Sequence, residues 1–315
     1  MSKALSLTPN KNRRRRRDLL FVAVLLAYPV LQFVGTWLFV NVGSLMMAFQ
    51  RNVLGETVWT FDHFVKAVKL IFDSPNKSGI PGLNDTVVAI LNSLGYGLVT
   101  IFISLPLSLL FAYFLQKKMP FANVLRVIFF LPNIIPIVAL TMAFNMPMQP
   151  NGYLYAVLDK FGLAWDIYGK WPSSQAMVYL YCIWAGLGYN VVLLSGAIGR
   201  IPKELFESAQ LDGAGYFTEF TKITIPLIWP TIVTLVVLGM TNVLTLYLQP
   251  YLLVGDRGYA LVDTIAMQIF NSVGTYDLNA YGESAAKGLL FSVIWAPIVL
   301  LVRNRLSKKY ADVDF

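Results

Sequence analysis

The sequence predicts an all-α integral membrane protein with six transmembrane helices. Three observations carry that expectation. Hydrophobic residues make up 57% of the 315 and charged residues only 13%. Six apolar runs are each long enough to cross a bilayer, and a basic stretch stands directly ahead of the first. Soluble domains average about 45–50% apolar and about 25% charged residues. Here the apolar surplus is gathered in long runs, the pattern of a polytopic chain.

The N-terminal arm, 1–18, holds Lys3, Lys11 and the run Arg13 to Arg17. Five consecutive arginines could serve a nucleic acid. An apolar stretch begins two residues later, however, so the run reads as a positive-inside anchor and no nucleic-acid partner is expected. That stretch, Leu19 to Val42, exceeds the about 7–15 residues of a signal-peptide core, and no clear small-x-small cleavage pattern follows it. It is read as a retained span.

A membrane helix needs about 20 mostly apolar residues at about 1.5 Å rise. The runs that qualify are roughly 19–42, 86–115, 124–146, 175–199, 224–248 and 284–303. The transmembrane domain is thus expected over 19–305, followed by a short tail at 306–315. With the basic arm inside, six spans place both termini in the cytoplasm. The inside segments then hold Lys117, Lys118, Arg126, Arg200, Lys203, Lys222, Arg303, Arg305, Lys308 and Lys309. With seven from the arm, these make 17 of the 25 Lys and Arg. The loops 148–174 and 249–283 carry only Lys160, Lys170 and Arg257, and this asymmetry supports the N-in, C-in orientation.

The segment 43–85 is too polar to span. Within it, Phe61, Phe64, Val65, Val68, Ile71 and Phe72 recur at helical spacing, which predicts an amphipathic helix lying on the outer surface. Pro75 and Ser78-Gly79-Ile80-Pro81-Gly82 end it. The loops 147–174 and 249–283, rich in Gly, Pro, Asn, Tyr and Trp, suit folded surface loops with aromatic anchors at the headgroups.

Between the fourth and fifth spans, at about 200–223, lies a polar turn. Ile201-Pro202-Lys203-Glu204 resembles a helix start, with Pro suited to the first turn and an acid favouring the helix dipole. Asp212-Gly213 signals a turn in which Gly adopts positive φ, and Tyr216 to Lys222 forms a second short helix ahead of Pro226. The result is a helix-turn-helix elbow. Its small residues allow a partner backbone to approach. Phe206, Tyr216 and Phe217 are expected as exposed apolar anchors. Glu204, Glu207, Asp212 and Glu219 offer negative charge to a basic partner. By composition alone, a docking element and an ordinary loop capping its neighbours are equally good readings.

Several function classes are disfavoured. Cys182 and His63 are the sole residues of their types, so no disulfide framework and no His/Cys zinc site can come from this chain, and no metal is expected. No cluster at catalytic spacing is present, so no catalytic residue is assigned and the chain is not read as an enzyme. A G-x-x-x-x-G-K-[ST] phosphate loop is missing. The alternative is an ion-coupled secondary transporter of a small polar solute, which normally needs carboxylates or His within the membrane. Spans one to five have essentially none at their centres. Glu283 and Lys287, spaced i, i+4 near one end of span six, read as a simple pair.

The spaced residues Glu207-Ser208-Ala209, Gly213 and Ile223-x-Ile225-Pro226 closely resemble the "EAA" signature of permease subunits in binding-protein-dependent ABC importers. Further stretches resemble the sugar-type permeases, including the maltose and glycerol-phosphate uptake permeases. They are Arg126-Val-Ile-Phe-Phe-Leu-Pro132-Asn133, Trp184-Ala-Gly186-Leu-Gly188-Tyr-Asn190, Ile201 to Glu207, Leu211-Asp212-Gly213-Ala214 and Tyr281 to Ala286. The likeness covers about 19–305. Ser208 stands for the first Ala of the signature and Ile225 for its Leu, both small or apolar replacements.

The resemblance implies a type I ABC importer permease, forming half of a translocation path for a mono-, oligo- or polysaccharide. It implies ATPase coupling through Glu204, Glu207, Ser208, Ala209, Asp212, Gly213 and Ala214. The implied partners are a second, homologous permease in a heterodimer, two ATPase subunits and an extracytoplasmic solute-binding protein. No cofactor belongs to this chain, since ATP and Mg would sit on the ATPase. The location is the bacterial cytoplasmic (inner) membrane. Polar groups within spans are costly unless they face protein or a water-filled cavity. Asn145, Asn190, Asn242, Tyr247 and Gln249 are therefore the substrate-path candidates, since a sugar needs amides for its hydroxyls and aromatic faces for its C–H groups. Helix–helix hydrogen bonding is the competing role for each.

Overall fold

A computed structural model of the chain describes residues 11–53, 56–117, 119, 121–161, 170–255, 259–273 and 277–310. Among these residues, four helices are long and apolar enough to cross a membrane: Arg15–Met47, Asp85–Gln116, Ser173–Ile198 and Leu278–Ser307. Two bent pairs supply two more spans, for six in all. They are Ala122–Ile134 with Ile137–Lys160, bent by 107°, and Tyr216–Leu227 with Trp229–Thr245, bent by 74°. We number these spans one to six in chain order.

Proline explains both breaks. Ile135 precedes Pro136 and takes extended dihedrals, φ −78° and ψ 133°, because the following ring excludes the helical region. At the second break, Pro230 has no N–H to return to the carbonyl four residues back, and Ile228 leaves the helix at φ −98°, ψ 11°. Span two keeps its course at Pro106 by widening into a π-helical turn over Thr100–Ser104.

Spans two, four and five form the core near the end that carries the elbow. Leu105, Leu109 and Ala112 of span two pack with Leu194, Ala197 and Ile198 of span four and with Ile232, Leu235 and Val236 of span five. At the opposite end, Tyr96, Val178 and Tyr181 pack against Leu246, Leu253, Leu261 and Val262. Three short helices after span five close that end: α3 (Leu248–Val254), α4 (Tyr259–Val262) and α5 (Ile265–Val273). Amides hold them in place. Asn92 Nδ2 donates to the carbonyls of Leu261 and Asp263, and Gln175 Nε2 also donates to Leu261. Span one is exposed along Leu19 to Val42, as a helix facing lipid or another subunit is.

The polar segment after span one is more structured than its sequence suggests. Strands β1 (Gln50–Val53) and β2 (Glu56–Trp59) pair antiparallel, Gln50 opposite Trp59. Four residues are too few for a period-two signal, and β2 is exposed throughout. The expected amphipathic helix is α1 (Asp62–Asp73). It docks on span six as well as presenting an outer stripe. His63 is buried and its Nε2 pairs with the Gln50 carbonyl at 2.9 Å, while Phe61 and Phe72 stay exposed. Lys66 on α1 forms an ion pair with Glu283 of span six. Glu283 therefore bonds across to another element, and the expected i, i+4 pair with Lys287 gives way to it.

Candidate functional site

The elbow begins at Pro202, whose φ −56° and ψ 133° turn the chain into helix α2 (Lys203–Leu211). Gly213 then takes φ +79°, a left-handed conformation open to glycine at little cost. The Gly213 N–H donates to the Gln210 carbonyl at 3.0 Å, and the Ala214 N–H to the Ala209 carbonyl at 2.9 Å. These two bonds make a Schellman cap, which satisfies carbonyls left over at the helix end. Gly215 is extended and the chain re-enters helix at Tyr216–Glu219, continuing into span five through a π-helical turn over Phe220–Thr224.

Glu204, Glu207, Ser208, Asp212 and Gly213 are exposed on this elbow, and Ala209 and Ala214 are half-buried. Leu211, Tyr216 and Phe217 are 90%, 68% and 79% exposed, an apolar tip bordered by acids. Two expectations are corrected. Phe206 is partly buried, its ring 4.9 Å from Lys117 Nζ. Glu219 is 1% exposed and ion-paired to Lys117, so it offers no charge to a partner. Leu211 is the residue that sequence reasoning missed, because its exposure depends on where the cap turns the chain.

A cavity of about 510 Å³ opens between spans two, three, four and five. Its polar lining comes from Thr100, Asn133, Tyr181, Cys182, Asn242, Thr245 and Gln249, and among the described residues no lining side chain is charged. The first break contributes Pro132, Asn133, Ile135 and Ile137, and the far end of span five, which stops at Leu246, contributes Asn242, Thr245 and Leu246, with Gln249 just beyond. Asn133 donates to the Ala185 carbonyl at 3.3 Å. The Tyr181 hydroxyl is buried without a hydrogen-bond partner.

Of the five path candidates, Asn242 and Gln249 stand in this lining. Asn145 instead donates to the Leu253 carbonyl at 3.0 Å, holding α3. Tyr247 packs against Phe270 with the rings tilted and their centroids 4.9 Å apart. Asn190 is half-buried on span four and outside the lining. Thr100, Asn133 and Tyr181 join the wall without having been picked as candidates. Which face of an apolar helix a Thr or Tyr occupies is not written in an all-round apolar sequence.

Residues 104–304 match the family described as the binding-protein-dependent transport system inner membrane component. The match covers more than half of the chain, and the chain belongs to that family. It is 25% identical over 295 residues to the arabinooligosaccharides transport system permease protein AraP of Bacillus subtilis, covering 89% of this chain and 86% of that protein. It is 28% identical over 210 residues to the probable ABC transporter permease protein YurN of the same organism, covering 64% and 71%. Among solved structures, a bacterial ABC transporter involved in the import of the acidic polysaccharide alginate superposes with a TM-score of 0.78 at 24% identity. That likeness covers 95% of this chain and 99% of that one. It extends the shared fold to nearly the whole chain.

Proposed function

We propose that this chain is one permease subunit of an ATP-driven importer, lining half of the path of a carbohydrate handed over by an extracytoplasmic binding protein. The observation that carries the proposal is the elbow. A capped turn holds Leu211, Tyr216 and Phe217 exposed amid acids, in a chain of the binding-protein-dependent transport family. Apolar anchors ringed by charge suit docking on an ATPase with a basic-rimmed groove. The assembly would pair this chain with a second, homologous permease and two ATPases, which hold ATP and Mg. Elbow and termini would face the cytoplasm, as the distribution of Lys and Arg favours. ATPase closure would then rock the permease pair between two states.

For the cargo, the cavity lining supports an uncharged sugar. Amide and hydroxyl groups at Asn133, Asn242, Gln249 and Tyr181 match sugar hydroxyls, and among the described residues no cationic side chain lines the cavity to bind a phosphate or carboxylate. Relatives named for arabinooligosaccharides and for diacetylchitobiose are in keeping with this class.

Affinity isolation of the chain from its native membranes, with mass spectrometry of what accompanies it, tests the reading. An ATPase, a second six-span permease and a solute-binding protein are expected, and that binding protein screened against sugars names the cargo. Recovery of this chain alone from gently solubilised, transport-active membranes would overturn the proposal, as would uptake that follows an ion gradient and not ATP.

A further inference from the structure

The elbow is joined by the chain itself to spans four and five only. Span two reaches it by side chains. Lys117 follows the last residue of that span and sits between the two arms of the elbow. Its ammonium is ion-paired with Glu219 on the second arm. It also lies 4.9 Å from the ring of Phe206 on α2 and 5.8 Å from the ring of Tyr216 on the second arm. One turn earlier in span two, the Tyr113 hydroxyl donates to the Tyr216 carbonyl at 3.2 Å, and its ring lies 5.0 Å from that of Phe220. Glu219 is 1% exposed, so its charge has no water to turn to if Lys117 withdraws. A buried carboxylate therefore holds span two against the elbow more firmly than a surface pair would.

Span two also bears Thr100 in the cavity wall, in its π-helical turn. Seventeen residues separate Thr100 from Lys117, about 25 Å of helix at 1.5 Å per residue. We propose that Lys117 and Glu219 are positioning residues that strap span two to the elbow, so that motion delivered to the elbow reaches the span-two wall of the cavity. The proposal rests on the elbow being the ATPase dock.

The test uses the intact complex purified with its ATPases. Spin labels are placed by Phe102→Cys on span two and Val293→Cys on span six, both exposed sites, in a Cys182→Ser background. With the charge pair intact, trapping with Mg-ATP and vanadate should shift the label-to-label distance. Glu219→Gln should still trap nucleotide and lose that shift, and the exchanged pair Lys117→Glu with Glu219→Lys should regain it. An undiminished shift in Glu219→Gln would overturn the strap. So would loss of the ATPase from both Glu219→Gln and the exchanged pair, since the contact would then serve assembly alone. Absence of ATPase from the complex with the charge pair intact would overturn the docking reading itself, and the strap with it.

Discussion

Gly188 of span four lies so close to span three that a Cβ at that position would stand 2.0 Å from the carbonyl oxygen of Phe129. Backbone cannot yield as a flexible side chain does, and membrane helices use small residues for such close approach. Gly188→Ala should therefore destabilise the protein by about 1–3 kcal/mol, the usual cost of overpacking. Gly186→Ala, whose new methyl would meet only Ser104 Oγ at 3.5 Å, should be near neutral. Thermal unfolding of the two variants in detergent checks the contrast.

At Gly213 the constraint is conformational. Nothing stands within 4 Å of a Cβ there, yet φ is +79°. A non-glycine residue in that region costs about 1–2 kcal/mol, less for Asn, and more for a β-branched side chain. ATP-dependent uptake should fall in the order Gly, Asn, Ala, Val at this position. Equal activity of Gly213→Val would mean the cap is not needed for coupling.

The far end is pinned by Asn92, whose amide spans 169 and 171 residues of sequence to reach Leu261 and Asp263. Asn92→Ala leaves the Asp263 carbonyl without this donor, while Leu261 keeps Gln175 at 2.5 Å. The expected loss is about 1–3 kcal/mol. The double variant with Gln175→Ala should lose more than the sum of the two, because both act on one carbonyl. A double-mutant cycle of unfolding free energies measures it.

The Tyr181 hydroxyl lines the cavity, buried and unpartnered. Removing an unsatisfied hydroxyl is close to neutral for stability or improves it. Tyr181→Phe should therefore leave the melting temperature unchanged or higher, and raise the sugar concentration needed for half-maximal uptake. Unaltered uptake would show that the hydroxyl does not meet the cargo.

Asp263 stands outside the spans, and burial pushes its carboxyl up to about 7, with Asp85 adding to the rise. Hydrogen bonds from Gln268 and the Thr264 N–H, and the charge of Lys287, oppose the shift. A raised folded value means that the folded state prefers the protonated acid. The stability contributed by this group is full below the unfolded value near 3.8, declines as pH rises toward 7, and is level above it. Unfolding followed between pH 5 and 8 should show this decline, and Asp263→Asn should flatten it.

The six spans and the elbow were legible because their signals are local. Apolar length marks a span whatever it packs against, and Asp212-Gly213 fits few conformations other than a turn. The prolines at 136 and 230 were equally visible in the sequence, but a membrane proline is tolerated, kinks a helix or breaks it according to what re-satisfies the freed backbone. That depends on neighbours distant in the chain. The same reason explains Glu219 and Glu283. Each reads as an acid free to serve a partner or a near neighbour, and each is claimed by a lysine from another element, Lys117 and Lys66.

By itself, then, the sequence determined that this chain is a six-span membrane protein with an elbow capped at Gly213, since hydropathy, proline and glycine act on the few residues around them. Tertiary structure alone decided which polar groups share the cavity. An Asn in an apolar helix faces lipid, a neighbouring carbonyl or water according to how the helices rotate and break. In this fold Asn242 was turned into the cavity lining, and Asn92 and Asn145 were turned to carbonyls at the far end.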